Sequence, residues 1–158
     1  MSISPEFATP LCLVSRQQRR ALIPLALAFV AVALPYLWTH APVIAFAVQH
    51  AFSLVCHQRP ERSFWVFGGP VAVCARCLGI YLGAAVGLLL RMPRRVALGI
   101  FFAAAAVNVI DCLSEFAGLH GNWLDMRFLL GFLLGATGAI VVSSAIQKRE
   151  VKSKEGRV

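Results

Sequence analysis

Four apolar runs, residues 21–38, 74–90, 96–113 and 128–146, fill most of the middle of this 158-residue chain. Each approaches the roughly 20 residues that a helix needs to cross the hydrocarbon of a bilayer. Inside a membrane every backbone polar group must find a partner within the protein, and continuous runs of this length meet that demand as helices. The expected fold class is therefore all-α: a polytopic membrane protein with four transmembrane helices. Composition agrees, with 59% hydrophobic and 14% charged residues against about 25% charged in an ordinary soluble domain. A fifth apolar stretch, residues 41–55, is shorter and holds Gln49 and His50. It reads as an interfacial or re-entrant helix.

The runs sit in a single membrane domain, residues 21–146, with a cytoplasmic lead (1–20), an outer loop (56–73) and a basic cytoplasmic tail (147–158) expected to be disordered. Ala31-Val32-Ala33 resembles a small-residue cleavage site after a basic lead. The apolar run continues past it to Trp38, so a retained anchor is expected.

Charge sets the orientation. Of the fifteen Lys and Arg residues, eleven lie in the lead, the Arg91–Arg95 turn and the tail, and four lie elsewhere: Arg59, Arg62, Arg76 and Arg127. The positive-inside rule then predicts four crossings of the cytoplasmic (inner) membrane with both termini cytoplasmic. The net charge of +8 flanks apolar blocks, where it meets lipid headgroups. No basic helix face and no phosphate-cradling glycine loop occurs, so no nucleic-acid partner is expected.

Gly79, Gly83 and Gly87 recur every four residues, as do Gly131, Gly135 and Ala139. Such small-residue stripes let helix backbones approach closely. They predict helix packing within the bundle, against a partner, or in a homo-oligomer.

Two polar segments interrupt this scaffold: Cys56-His57-Gln58-Arg59-Pro60-Glu61-Arg62-Ser63 and Cys74-Ala75-Arg76-Cys77. Pro60 disfavours helix at Arg59, so the first opens into a loop. Cys74 and Cys77 stand at a helix start, where the dipole favours thiolate over thiol. Three chemistries fit. Cys56, His57, Cys74 and Cys77 would bind a tetrahedral ion such as zinc. Alternatively, Cys74 and Cys77 form a reversible disulfide with which Cys56 exchanges, in the manner of a quinone-linked thiol oxidoreductase. A four-helix bundle with an outward Cys-x-x-Cys is similar in architecture to vitamin K epoxide reductases. Lastly, a fixed disulfide would staple the loop.

The predicted topology gathers further polar residues in the same outer layer. Asn108, Asp111 and Glu115 share one helix face. An ionisable residue inside a span needs a partner, and Arg76 and Arg127 are the candidates for Asp111. Arg59 and Arg62 suit a phosphate or carboxylate headgroup, given the forked geometry of guanidinium. His120-Gly121-Asn122 reads as a turn, with Asn122 beside the same layer.

Residues 56–64, the segment Val-Cys-Ala-Arg-Cys-Leu-Gly-Ile-Tyr-Leu-Gly at 73–83, and Asp111 followed by Asn122 and Arg127-x-x-x-Gly131 together resemble a family of small prokaryotic membrane proteins classed as a domain of unknown function. The likeness covers about residues 40 to 140. It implies an integral membrane protein and carries no reaction with it. Cys112 stands where the family pattern leads one to expect glycine, so it falls outside any shared mechanism.

The leading functional expectation is a zinc site on Cys56, His57, Cys74 and Cys77 at the extracytoplasmic face. Asp111, Arg76 and Arg127 serve as candidate catalytic residues, and Arg59, Arg62, Asn108 and Asn122 bind a lipid-borne substrate. The alternatives are the quinone-linked oxidoreductase on Cys74 and Cys77, and a non-enzymatic membrane assembly subunit.

Overall fold

A computed structural model describes residues 9–118, 121 and 123–155, with side chains over 18–118, 121 and 123–147. Among the described residues five helices follow in order: α1 (Thr9–His40), α2 (Pro42–Ser53), α3 (Ala75–Leu89), α4 (Arg94–Phe116) and α5 (Leu124–Glu155). The loop from α2 to α3 contains a 3₁₀ turn, Pro60–Arg62, and a small antiparallel hairpin of β1 (Trp65–Val66) and β2 (Gly69–Pro70). Phe67 and Gly68 both have positive φ, +49° and +79°, as a two-residue hairpin turn of the tightest kind requires.

Three segments are long and apolar enough to cross a membrane: Gln18–His40, Arg94–Phe116 and Leu124–Gln147. The expected full span over residues 74–90 is instead a 15-residue helix, about 22 Å long against roughly 30 Å of hydrocarbon. Cys74 and Leu90 bound it in extended conformation. Pro93, next in line, disfavours helix at Met92. A second correction concerns the tail: α5 continues through Glu155, because Gln, Lys, Arg and Glu are good helix formers that extend a helix already nucleated by packing.

Glycine decides how α3 meets α5. A Cβ at Gly79 would strike the Phe128 carbonyl, at Gly83 that of Phe132, and at Gly87 that of Ala136. In return, Gly131 and Gly135 face the carbonyls of Arg76 and Ile80. Both series rise together, so the helices run parallel in one four-residue register. Helix α4 runs the other way: Arg76 meets Asp111 near its end, and Gly138 of α5 lies against Phe101 near its start. The glycine stripes thus find each other within the chain.

Proline decides how α1 holds the loop. Pro35 lacks an N–H, which leaves the carbonyl of Ala31 without its helical partner. The N–H of Ala72 donates to that carbonyl at 3.0 Å. Ala28, Ala31 and Leu34 of α1 then pack with Ala45 and Phe52 of α2, Ala72, Val73 and Leu78, and Cys56 is part of this cluster. Residues facing outward, among them Phe29, Phe102, Ile110 and Val142, are apolar and exposed. A surface of that kind suits lipid rather than water.

Candidate metal centre

Three cysteines from two segments converge. The ligand atoms of Cys56, Cys74 and Cys77 all lie within 4.8 Å of one another. Three sulfurs on one tetrahedral zinc ion, each about 2.3 Å from the metal, would be separated by roughly 3.8 Å. Sulfurs held within 4.8 Å of one another are compatible with that spacing.

Each sulfur is held for a local reason. Helix α2 ends at Ser53, and the Cys56 N–H closes the last turn onto the Phe52 carbonyl at 3.0 Å. Gln58 takes a left-handed conformation, φ +49°, which turns the chain back towards α2. Its side-chain Nε2 donates to the Gln49 carbonyl at 2.8 Å. Cys74 occupies the N-cap of α3 and Cys77 its first turn. The Cys74 N–H donates to Cys56 Sγ at 3.2 Å.

Cys56 is buried, yet its thiol is pushed far below the ordinary thiol range. Hydrogen bonds from the Cys74 and Cys77 side chains do most of this, joined by the backbone N–H groups of Cys74 and Gln58, and together they outweigh the opposing effect of burial. Donors aimed at a sulfur stabilise the thiolate, which is the form that binds metal.

A cavity of about 510 Å³ opens beside the sulfurs, walled by all three cysteines and by His57, Arg59, Arg62, Arg76, Cys112, Glu115 and Phe116 among others. His57 is exposed on this wall and lies outside the group of converging ligand atoms. Of the four expected ligands, the fold brings together the three cysteines.

Behind the cavity runs a chain of ion pairs. Arg62 pairs with Glu115 at 3.0 Å, Glu115 with Arg127 at 2.5 Å, Arg127 with Asp111 at 3.6 Å and Asp111 with Arg76 at 2.6 Å. Both expected partners of Asp111 are present. The Arg127 side chain is only 4% exposed, so its two carboxylates are what make its burial tolerable. Arg59 is exposed and has no ion-pair partner among the described residues. Asn108 is buried and its Nδ2 donates to the Ala104 carbonyl on its own helix at 3.1 Å. Asn122 lies outside the described residues, and so does the side chain of Cys12.

Two contacts escaped sequence reasoning. Arg76 donates from NH1 to Cys112 Sγ at 3.0 Å, which places a fourth thiol on the cavity wall. Glu115 joins the loop arginine Arg62 to the buried Arg127. Its position four residues after Asp111, on the same helix face, was the available signal.

The family model described as predicted membrane protein (DUF2085) matches residues 56–141, which run from Cys56 past Arg127. An uncharacterised protein of Methanocaldococcus jannaschii is 36% identical over 110 residues, 63% of this chain and 67% of that protein. An uncharacterised protein of Methanothermobacter thermautotrophicus is 54% identical over 33 residues, 21% of this chain and 30% of that one. No solved structure matches.

Proposed function

This chain belongs to the predicted membrane protein family DUF2085, and we propose that its working centre is a zinc ion held by Cys56, Cys74 and Cys77 at the extracytoplasmic face. The observation that carries this reading is the convergence of three sulfurs from segments 18 residues apart. Structural zinc sites fill all four positions with protein ligands, whereas catalytic sites use three and leave one open. Here the three cysteines also wall the cavity, so the fourth position adjoins it. His57 on the same wall is the imidazole that would close that position if its side chain reached it.

Four crossings, both termini cytoplasmic, fit the same reading. Helices α3 and α5 are parallel and both begin beside the sulfurs, while α4, antiparallel to them, packs against α5. Although α3 is short, its glycine face is sealed against α5. The basic turn at Arg91–Arg95 then lies on the side of the basic tail, as the positive-inside rule asks.

A thiol-exchange reading draws on the same convergence. An external dithiol would reduce the Cys74–Cys77 disulfide by exchange, with Cys56 forming the intermediate mixed disulfide, and re-oxidation of the Cys74–Cys77 dithiol would pass two electrons and two protons to a quinone.

Elemental analysis of the detergent-purified protein, paired with thiol alkylation, separates the two. About one equivalent of zinc per chain, lost in Cys74→Ser, supports the metal centre. Absence of metal in protein purified without chelator, with Cys74 and Cys77 alkylated only after reduction, overturns it in favour of exchange.

A further inference from the structure

The cavity beside the sulfurs carries more positive charge than its own residues neutralise. Four arginines, Arg59, Arg62, Arg76 and Arg127, line it or lie directly behind it. Against them stand Asp111 and Glu115. Three thiolates on a divalent ion add one further negative charge, so these groups keep one positive charge in excess even with the site loaded; Glu61, between Arg59 and Arg62, is exposed and is not among the cavity-lining residues.

The surplus is local. Asp111 serves both Arg76 and Arg127, and Glu115 serves both Arg127 and Arg62. Arg59, which also lines the cavity, has no ion-pair partner among the described residues. Arg62 is bound through NH2 alone among its recorded ion-pair contacts, and its side chain is 35% exposed. Arg59 caps the 3₁₀ turn Pro60–Arg62 and Arg62 ends it, so one short piece of chain brings both arginines to the same cavity. Guanidinium forks match the oxygens of phosphate in pairs.

The cavity is amphiphilic as well. Its wall includes Val55 and Phe116, which are 66% and 94% exposed. Phe116 is the last residue of the candidate span Arg94–Phe116, the level at which headgroups meet acyl chains. A cationic pocket with an apolar rim at that depth suits a molecule with an anionic head.

We propose that this cavity binds a phosphate group, with Arg59 and Arg62 clasping its oxygens next to the fourth position of the metal. The inference rests on the metal reading for the role of the sulfurs, but the arginine clasp has its own test. The phosphate belongs either to a lipid headgroup or to a free phosphate.

The test uses full-length protein in nanodiscs, with zinc content measured in every sample. One arm compares phosphatidylcholine discs containing phosphatidic acid with discs of phosphatidylcholine alone, using spin-labelled phosphatidic acid as the probe. The other titrates inorganic phosphate into protein in phosphatidylcholine discs and follows the phosphorus resonance. Binding in either arm that weakens about tenfold in Arg59→Gln, as expected for one lost charge-assisted contact, supports the proposal, and the responding arm identifies the source. Arg59→Lys, which keeps the charge and loses the fork, should recover only part of the affinity. No binding in either arm, or binding equal in wild type and Arg59→Gln, overturns the proposal. In a sample with one zinc per chain that failure leaves the metal centre standing. Arg59-dependent binding in zinc-free protein upholds the clasp and removes the metal.

Discussion

Arg76 NH2 lies 2.6 Å from Asp111 Oδ2, a contact between residues 35 positions apart that ties the start of α3 to the end of α4. The same carboxylate oxygen faces Arg127 Nε at 3.6 Å. One aspartate therefore offsets charge on two helices, and the rest of the cavity wall is built around it. Asp111→Ala leaves the half-buried Arg76 without its carboxylate and the buried Arg127 with Glu115 alone, for which a loss of about 3 kcal/mol is expected. Chemical denaturation in detergent, compared with Asp125→Ala at an exposed site, measures it. A loss no larger than in Asp125→Ala contradicts the clamp.

The three sulfurs should behave as a set. Cys56→Ser, Cys74→Ser and Cys77→Ser are each expected to lose bound zinc, while Cys112→Ser, which only exchanges a sulfur acceptor of the Arg76 contact for an oxygen, keeps it. Elemental analysis of the four variants decides the matter, and equal metal in Cys77→Ser and wild type would falsify the ligand assignment.

Removing the metal should be felt along the loop. Chelation returns protons to the cysteines and removes the cation that ties the loop to the start of α3. Faster hydrogen exchange is then expected at Gln58 and Cys74, whose N–H groups point at Cys56, with α4 unchanged. Exchange rates identical in loaded and chelated protein argue against a metal in this place.

Gly83→Ala and Gly99→Ala should diverge. At Gly83 the new methyl collides with the Phe132 carbonyl, a backbone atom that cannot move without parting α3 from α5, whereas nothing lies near Gly99. Overpacking of this kind costs roughly 1–3 kcal/mol, while Ala in an open helical position gains up to about 1 kcal/mol over Gly. Thermal unfolding followed by tryptophan fluorescence should lower Tm for the first and hold or raise it for the second.

Pro35→Ala restores a donor to the Ala31 carbonyl, which Ala72 now uses. The helix should close over that acceptor and release the loop, which the exchange rate of the Ala72 amide reports. An unchanged rate would mean that the carbonyl serves both donors.

Much of this protein could be read from the chain alone. Apolar run length decided that it is helical and membranous, because a bilayer accepts few other backbones. The four-residue glycine spacing foretold close helix packing, and one aspartate within an apolar run foretold a basic partner. The Cys-x-x-Cys spacing at a helix start sufficed to flag Cys74 and Cys77. Each of these is a local pattern whose physical consequence needs no knowledge of its neighbours.

What remained belongs to tertiary structure, since it depends on distances between segments. Cys56 joins the pair while adjacent His57 points elsewhere because Gln58 turns left-handed and Phe52 accepts the last helical bond. Which glycine meets which carbonyl follows from the parallel register of α3 and α5. Glu115 lies between Arg62 and Arg127 only because the α2–α3 loop folds over the end of α4. Helix length over residues 74–90 was also a tertiary matter: the extended cap at Cys74 and the stop before Pro93 left 15 helical residues. Chain composition sets the solvent a segment can live in, and packing sets which of its polar atoms find one another.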